Sequence, residues 1–289
     1  MRPAPADRTV EEVLSFGVVN LDKPPGPSAH QVAGWLRDMT DVERAAHSGT
    51  LDPKVTGCLP VLLGDATRAA QIFDDAVKEY VTVFEAHGRI PDDFPAIAAE
   101  FETEIYQKPP RKSAVSRRLR SRRIHAIDIL ETEARRALLR IRCESGTYIR
   151  KLCHDLGLAL GTGAHMGALR RTATGGYTDA SMVTMHDVAD ALAEYREEGD
   201  DAWLREVVAP AEEALDALDL PHVVIAPSAA EQVAEGAPVY APGVIDCEGE
   251  RGEQVACYTP NGAAVCLGTL VGDPEEEAAT VVDLDRVLV

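Results

Sequence analysis

HSGTLDPKVTGCLPVLLG, residues His47 to Gly64, carries the one carboxylate around which the chain is read. Asp52 lies in a loop punctuated by Gly49, Pro53 and Gly57. Such a loop can hold a single carboxylate rigid and exposed at the floor of a cleft. The commoner job of an Asp before Pro is to cap a turn or a helix, and the residues alone favour that reading. Three other dense segments accompany it: GVVNLDKPPGPS (Gly17 to Ser28), SGTYIRKLCHDLG (Ser145 to Gly157) and GAHMGALRRT (Gly163 to Thr172).

Outward from these segments, the pattern is mixed. Residues 1–15 are polar and Pro-rich and read as a flexible arm. Pro24, Pro25 and Pro27 with Gly26 force a rigid turn, after which Ser28 to Met39 reads as a helix. Val32, Trp35, Leu36 and Met39 form its apolar stripe, and Ser28 with Gln31 forms a capping box. Residues 65–76 read as a short helix with Asp65 as N-cap. Glu79 to Ala86 alternates like a strand, with Val81 and Val83 on one face, and Ala137 to Cys143 alternates again. Thr147 is expected to cap a helix carrying Ile149, Leu152, Leu156 and Leu160, closed by Gly161. Residues 187–198 and 201–219 read as charged, Ala-rich helices. Beyond Pro221 come short strand-like runs and a hairpin signal at Asn261-Gly262. The expected division is an arm over 1–15, a main domain over 16–219 and a small β-rich domain over 220–289.

Twenty-nine basic and 48 acidic residues among 289 give a formal charge of −19, which at face value argues against a polyanionic partner. The distribution changes this. Residues 1–171 carry 25 basic and 23 acidic side chains, whereas 172–289 carry four and 25. With 23 Arg against six Lys, the acidic excess resembles that of proteins from salt-loving organisms. Arg111 to Arg123 holds seven cations in thirteen residues: Arg111, Lys112, Arg117, Arg118, Arg120, Arg122 and Arg123. Charge runs usually mean a solvated face. In so acidic a chain an Arg-rich strip favours contact with RNA phosphates and bases. No run approaches a membrane span, and the N-terminus has no apolar h-region, so a cytoplasmic protein is expected. None of the six cysteines forms a C-x-x-C pair, so no metal is expected and the thiols read as reduced and mostly buried.

Together the four dense segments, in their order and spacing, resemble the TruB/dyskerin family of RNA pseudouridine synthases. Lys54 after Leu51-Asp52-Pro53, the strip from Pro109 to Arg123, and GAHM before LRRT resemble the archaeal and eukaryotic branch. The resemblance implies an α+β fold, with a mixed, mainly antiparallel sheet, flanking helices and a small C-terminal β-barrel-like PUA domain. It implies isomerisation of uridine to pseudouridine with no cofactor. Within that branch it implies the catalytic subunit of an archaeal H/ACA particle, guided to rRNA by RNA and joined by small protein subunits. A stand-alone tRNA uridine-55 synthase and a non-catalytic RNA-binding scaffold are the alternatives.

By resemblance, Asp52 is the nucleophile that starts glycosidic cleavage. Arg150 pairs with it, keeping it ionised and aimed in a partly dry pocket, and its loss would leave a buried charge unpaired. Tyr80 stacks on the target base, Tyr148 is a second pocket tyrosine and Leu169 closes the pocket. Lys23 and Pro24 match a loop that supports the catalytic one, and Lys23 and His47 count among the substrate-binding candidates. Arg170 and Arg171 are expected to extend the Arg-rich strip toward RNA. Gly236 to Val244 resembles the glycine-containing PUA turn. With so few cations in the tail, guide RNA would have to be held by neutral hydrogen bonds, apolar contacts and shape. At about 1 M salt the screening length is only about 3 Å. RNA affinity, followed by filter binding, is therefore expected to fall little between about 1 and 3 M KCl, and a steep log–log slope would contradict this.

Overall fold

The structure, a computed structural model, describes residues 1–73, 75–108 and 118–289. Among the described residues one large sheet is built from β1 (Gly17–Lys23), β2 (Ala45–His47), β3 (Thr56–Leu63), β4 (Lys78–Ala86), β5 (Glu104–Gln107), β6 (Arg120–Thr132), β7 (Arg136–Cys143), β8 (Ala164–Thr174), β9 (Tyr177–Thr178) and β10 (Ala209–Pro210). The strand order is β10-β1-β3-β8-β4-β7-β6-β5, with β2 also on β3 and β9 on β8. Only β3 and β8 pair in parallel; the other strand pairs are antiparallel. The helices are α1 (Val10–Ser15), α2 (Ala29–Thr40), α3 (Phe94–Ala99), α4 (Ile149–Ala159), α5 (Met185–Glu198), α6 (Ala202–Val207), α7 (Ala211–Asp216) and α8 (Pro227–Ala234). None is long and apolar enough to cross a membrane. This is the mixed α+β architecture expected.

Local chemistry accounts for several elements. Helix α2 starts where the capping box places it: Ser28 Oγ accepts from Gln31 N, and Gln31 Oε1 accepts from Ser28 N. It buries Val32 and Leu36 but leaves Trp35 exposed. In β4 every second side chain (Lys78, Tyr80, Thr82, Phe84, Ala86) is buried, so Val81 and Val83 share the opposite, half-buried face. Pro60 stands in β3 where its neighbour changes from β8, which pairs as far as Gly57, to β2, whose last residue, His47, lies opposite Val61. A residue without an N–H fits that gap, and its carbonyl accepts from Ser48 N.

Four expectations are corrected. Residues 1–15 are not a loose arm: they form a short 3₁₀ turn at Pro5–Asp7 and helix α1, and bury Arg8, Val10, Val13 and Leu14. The helix expected over 65–76 is a 3₁₀ helix, Gly64–Phe73, and Asp65 spends its carboxylate on Arg2, Arg44 and Arg68 instead of a cap. Thr147 donates to the Glu144 carbonyl and does not cap α4, whose N-cap position is Tyr148. The helix expected over 201–219 breaks into α6 and α7 around β10, because a residue before Pro is driven to extended backbone and Ala209 precedes Pro210.

The C-terminal sheet comprises β11 (His222–Ile225), β12 (Val239–Tyr240), β13 (Val244–Cys247), β14 (Gln254–Tyr258), β15 (Ala264–Leu270) and β16 (Thr280–Val287), ordered β12-β16-β15-β14-β11-β13. Gly262, at φ +81°, makes the β14–β15 turn at the Asn261-Gly262 signal. An apolar seam joins the two sheets: Phe16, Val18, Leu62 and Phe73 pack with Ala256, Tyr258, Leu267 and Leu288. Across this seam Arg8, 1% exposed, makes a two-pronged pair with Glu212 at 2.8 and 2.7 Å. Glu212 Oε1 also accepts from Ala264 N at 2.9 Å. One buried carboxylate thus ties the N-terminal segment, α7 and β15 together. Arg8→Ala is expected to cost about 3–5 kcal/mol in denaturant unfolding, because it strands that carboxylate. Arg8→Met with Glu212→Gln should recover most of the loss, since no charge is then left unpaired.

Candidate active site

The loop between β2 and β3 is pinned from both sides and from below. Leu51 and Val55 are buried, while Asp52, Pro53 and Lys54 between them are exposed. Val55 N donates to Asp52 O at 2.9 Å, closing a four-residue turn with Pro53 at its second position. The turn-forming reading of Asp52 is therefore right for its backbone, and its carboxylate remains available. Beneath the turn lies Lys23, fully buried. Its Nζ donates to Pro24 O (2.9 Å), Pro53 O (3.1 Å) and Val55 O (2.8 Å). Burial lowers the Lys23 pKa, and the nearby Asp52 charge opposes that shift. Lys23 is thus corrected from a substrate contact to a support of the loop.

Arg150, in the first turn of α4, places Nη2 2.5 Å from Asp52 Oδ2. Helix α4 starts there because its apolar side (Ile149, Leu152, Cys153, Leu156) is buried. At its N-cap, Tyr148 N donates to Gln107 Oε1 (2.8 Å) and Tyr148 O accepts from Gln107 Nε2 (3.2 Å). Gln107 is buried, and nothing in its sequence surroundings marks it. The Asp52 and Arg150 side chains are 59% and 55% exposed. The pair faces solvent, which corrects the expectation of a partly dry pocket and of a buried charge left behind when Arg150 is removed.

Tyr80, Thr82, Leu169 and Arg171 share one face of the sheet, since Tyr80 is opposite Arg171 and Thr82 opposite Leu169 in the β4–β8 register. Tyr80 is 8% exposed, and burial raises its phenol pKa, an effect that the adjacent Arg171 charge reduces. Leu169 is half-buried against the core, and His47 ends β2, half-buried, opposite Val61.

The proposed RNA-facing cations divide. Arg111, Lys112 and Arg117 lie outside the described residues. Arg118 and Arg123 are exposed and Arg120 is half-buried. Arg122 donates to Ser121 O and lies 3.5 Å from Glu144. Arg170 remains partly exposed, but its guanidinium is committed to both oxygens of Asp22 at 2.9 and 2.8 Å. Arg171 is fully buried, so it cannot meet RNA phosphates. Asp22 and Gln107 are the positioning residues that sequence reading missed. Among the described residues, no cluster of three His, Cys, Asp or Glu is placed to hold a metal ion.

The site is thus a carboxylate on a rigid turn, gripped by a guanidinium beside a tyrosine-bearing sheet face, in a large sheet joined to a small β domain. Residues 37–149 match the TruB family pseudouridylate synthase N-terminal domain, and residues 150–216 the tRNA pseudouridylate synthase B C-terminal domain. Residues 221–281 match the PUA domain and 3–33 the DKCLD (NUC011) domain. A probable tRNA pseudouridine synthase B of Haloarcula marismortui is 66% identical, the match covering all of this chain and 94% of that protein. One of Halobacterium salinarum is 59% identical, covering 100% and 99%. The crystal structure of a Cbf5-Nop10-Gar1 complex contains a chain that superposes with TM-score 0.92 at 42% identity, covering all of this chain and 89% of that one. A structure of an H/ACA RNP bound to a substrate RNA containing 2′-deoxyuridine gives 0.90 at 40% identity, covering 99% and 89%. The chain belongs to the TruB/dyskerin family of pseudouridine synthases.

Because the Asp52–Arg150 pair is exposed, it is worth at most about 1 kcal/mol to folding. Arg150→Gln is expected to leave the melting midpoint nearly unchanged while lowering turnover. Lys23→Met, by contrast, should lower the midpoint, since the carbonyls of Pro24 and Val55 lose this donor and that of Pro53 loses one of two.

Proposed function

We propose that this pseudouridine synthase works on RNA selected by a guide, with rRNA as target, as the catalytic subunit of a cytoplasmic particle with small protein subunits. The observation that carries this reading is the Asp52–Arg150 pair, fixed from below and uncovered from above. Such a site waits for RNA and neighbouring subunits to cover it. Superposition along the whole chain, PUA domain included, on a protein solved with Nop10 and Gar1 supports the same reading.

In the reaction Asp52 acts first. The N1–C1′ glycosidic bond of uridine breaks, the base turns, and C5 bonds to C1′. N1 ends with a proton and C5 loses one, so atoms balance without a cofactor. Arg150 keeps the carboxylate ionised and aimed. Tyr80, Tyr148 and Leu169 hold the extruded base, for which an aromatic face supplies about 1–3 kcal/mol. Arg118, Arg120 and Arg123, continuing the strip of Arg111, Lys112 and Arg117, meet phosphates. His47 lies on the strand leading into the catalytic loop, placed to orient the base. On the C-terminal domain, the turn from Gly236 to Val244 shows Tyr240 to solvent, followed by exposed Ile245. That surface suits a guide end held by stacking and shape instead of cations.

A second reading, a tRNA uridine synthase acting alone, draws on the names of the 66% and 59% identical relatives. Tritium release from 5-tritiated uridine RNA in high KCl separates the two. The guided reading expects release from an rRNA target only with guide RNA and partner subunits, and none with Asp52→Asn. Equal release from tRNA by the chain alone would favour the second reading, and release by Asp52→Asn would overturn the role of Asp52.

A further inference from the structure

Arg171 is a fully buried guanidinium, and among the described residues no carboxylate lies within ion-pair distance of it. Taking such a charge out of water costs several kcal/mol, and an apolar side chain of similar volume would fill the space without that cost. Its contacts show what the charge does. Nε donates to Cys58 O at 2.7 Å, and Nη2 reaches Ser48 O at 3.4 Å and Gly49 O at 3.5 Å. Ser48 and Gly49 open the loop that ends in Asp52. Gly49 has φ +82°, and a Cβ there would lie 3.6 Å from Arg171 Nη1, so this turn rests on the guanidinium. On its other side Arg171 faces Tyr80 across the β4–β8 register.

The base of this side chain is equally fixed. Arg171 pairs with Gly57 where β3 and β8 run parallel, and a Cβ on Gly57 would fall 2.1 Å from Arg171 O. No other residue type allows that approach, which explains Gly57 at φ +100°. The guanidinium therefore extends from a backbone point that cannot shift, between the start of the catalytic loop and the base-stacking tyrosine.

We propose that Arg171 is a positioning residue: it sets the Tyr80 ring and the Asp52 loop at a fixed spacing, so that a base stacked on Tyr80 presents C1′ to Asp52. The proposal rests on the reading of Asp52 and Tyr80 given above. Arg171 meets no substrate; it acts through the two groups that do. A displacement of about 1 Å between reacting groups can cost about 100-fold in rate. An aromatic base shelf and a carboxylate on different elements need a rigid link to avoid this.

The test uses the full chain, with guide RNA and partner subunits where turnover requires them. Arg171→Met and Arg171→Lys are compared with wild type in single-turnover tritium release, in RNA affinity and in thermal melting in molar KCl. The expected result for Arg171→Met is a cooperative melt, RNA affinity within about threefold of wild type, and a chemical step slowed about 100-fold. Arg171→Lys, which keeps the charge but loses the fork, should fall between. Combined with Tyr80→Phe, the loss should be less than the product of the single losses, because both act on one spacing. A chemical step within about threefold of wild type in folded Arg171→Met would overturn the proposal, as would a rate loss matched by lost RNA affinity, or multiplicative losses. If Arg171→Met does not melt cooperatively, the same criteria apply to Arg171→Lys. Asp52→Asn separates the two levels. Activity in that variant overturns the site reading itself, whereas an inactive Asp52→Asn beside a fully active Arg171→Met overturns the role of Arg171 alone.

Discussion

A buried ammonium with three carbonyls around it holds the Asp52 loop in place. Lys23 ends β1 and spends its donors on Pro24, Pro53 and Val55. Gly26 N reaches Pro53 O as well, so the turn after β1 and the turn after Asp52 share one acceptor. Without Lys23, Val55 O would face a dry interior unpaired, at a cost of about 1–3 kcal/mol, while Pro53 O would keep Gly26 N. The arrangement is therefore mutual: the carbonyls stabilise the buried charge, and the charge satisfies the carbonyls. The result is a loop held by its backbone at Pro53 and Val55 although its tip is in solvent.

Rigidity below and openness above have separate causes. The lower half of the site is made of strand ends and buried donors, fixed by the packing of β1, β3, β4 and β8. The upper half is the first turn of α4, held by Gln107 through both backbone groups of Tyr148. Neither half encloses Asp52. Its attraction to Arg150 acts through water in the free chain, and becomes stronger only when a substrate displaces that water. A site of this kind places its charges before the substrate arrives but gains most of their effect afterwards.

What could be read from sequence was local. The capping box at Ser28 and Gln31, the alternation of β4 and β7, the apolar stripe of α4 and the Asn261-Gly262 turn each depend on residues within a few positions. What could not be read depends on partners far along the chain. Arg8 looked like part of a loose polar arm because its partner, Glu212, is 204 residues away. Arg170 and Arg171 looked like an extension of a cationic strip, because nothing near them shows that one meets Asp22, 148 residues earlier, and the other the carbonyl of Cys58. The roles proposed for Asp52, Arg150, Tyr80, Tyr148 and Leu169 rest on the resemblance of whole motifs; their geometry came only from the fold.

The charge pattern takes its final meaning from what is buried. Among the described residues the buried ionisable cations are Arg8, Lys23, Lys78 and Arg171, against one buried carboxylate, Glu212, which belongs to Arg8. Of the other three, Lys23 and Arg171 bond carbonyls of the Asp52 loop, whereas Lys78 Nζ donates to Phe73 O, Ala76 O and Ser145 Oγ. Lys23 lies under Pro53 and Val55, and Arg171 lies against Gly49, where a Cβ would be 3.6 Å from its Nη1; Lys78 approaches Gly49 only with its apolar Cε, at 3.5 Å. A chain of net charge −19 thus keeps two buried cations, Lys23 and Arg171, against the backbone of the Asp52 loop. Surface arginines lose their reach when the screening length shrinks to about 3 Å in molar salt. Charges set in the interior, out of reach of counter-ions, are screened far less. Lys23 and Arg171 should therefore keep their hold on the backbone of the Asp52 loop in salt that weakens ion pairs at the surface.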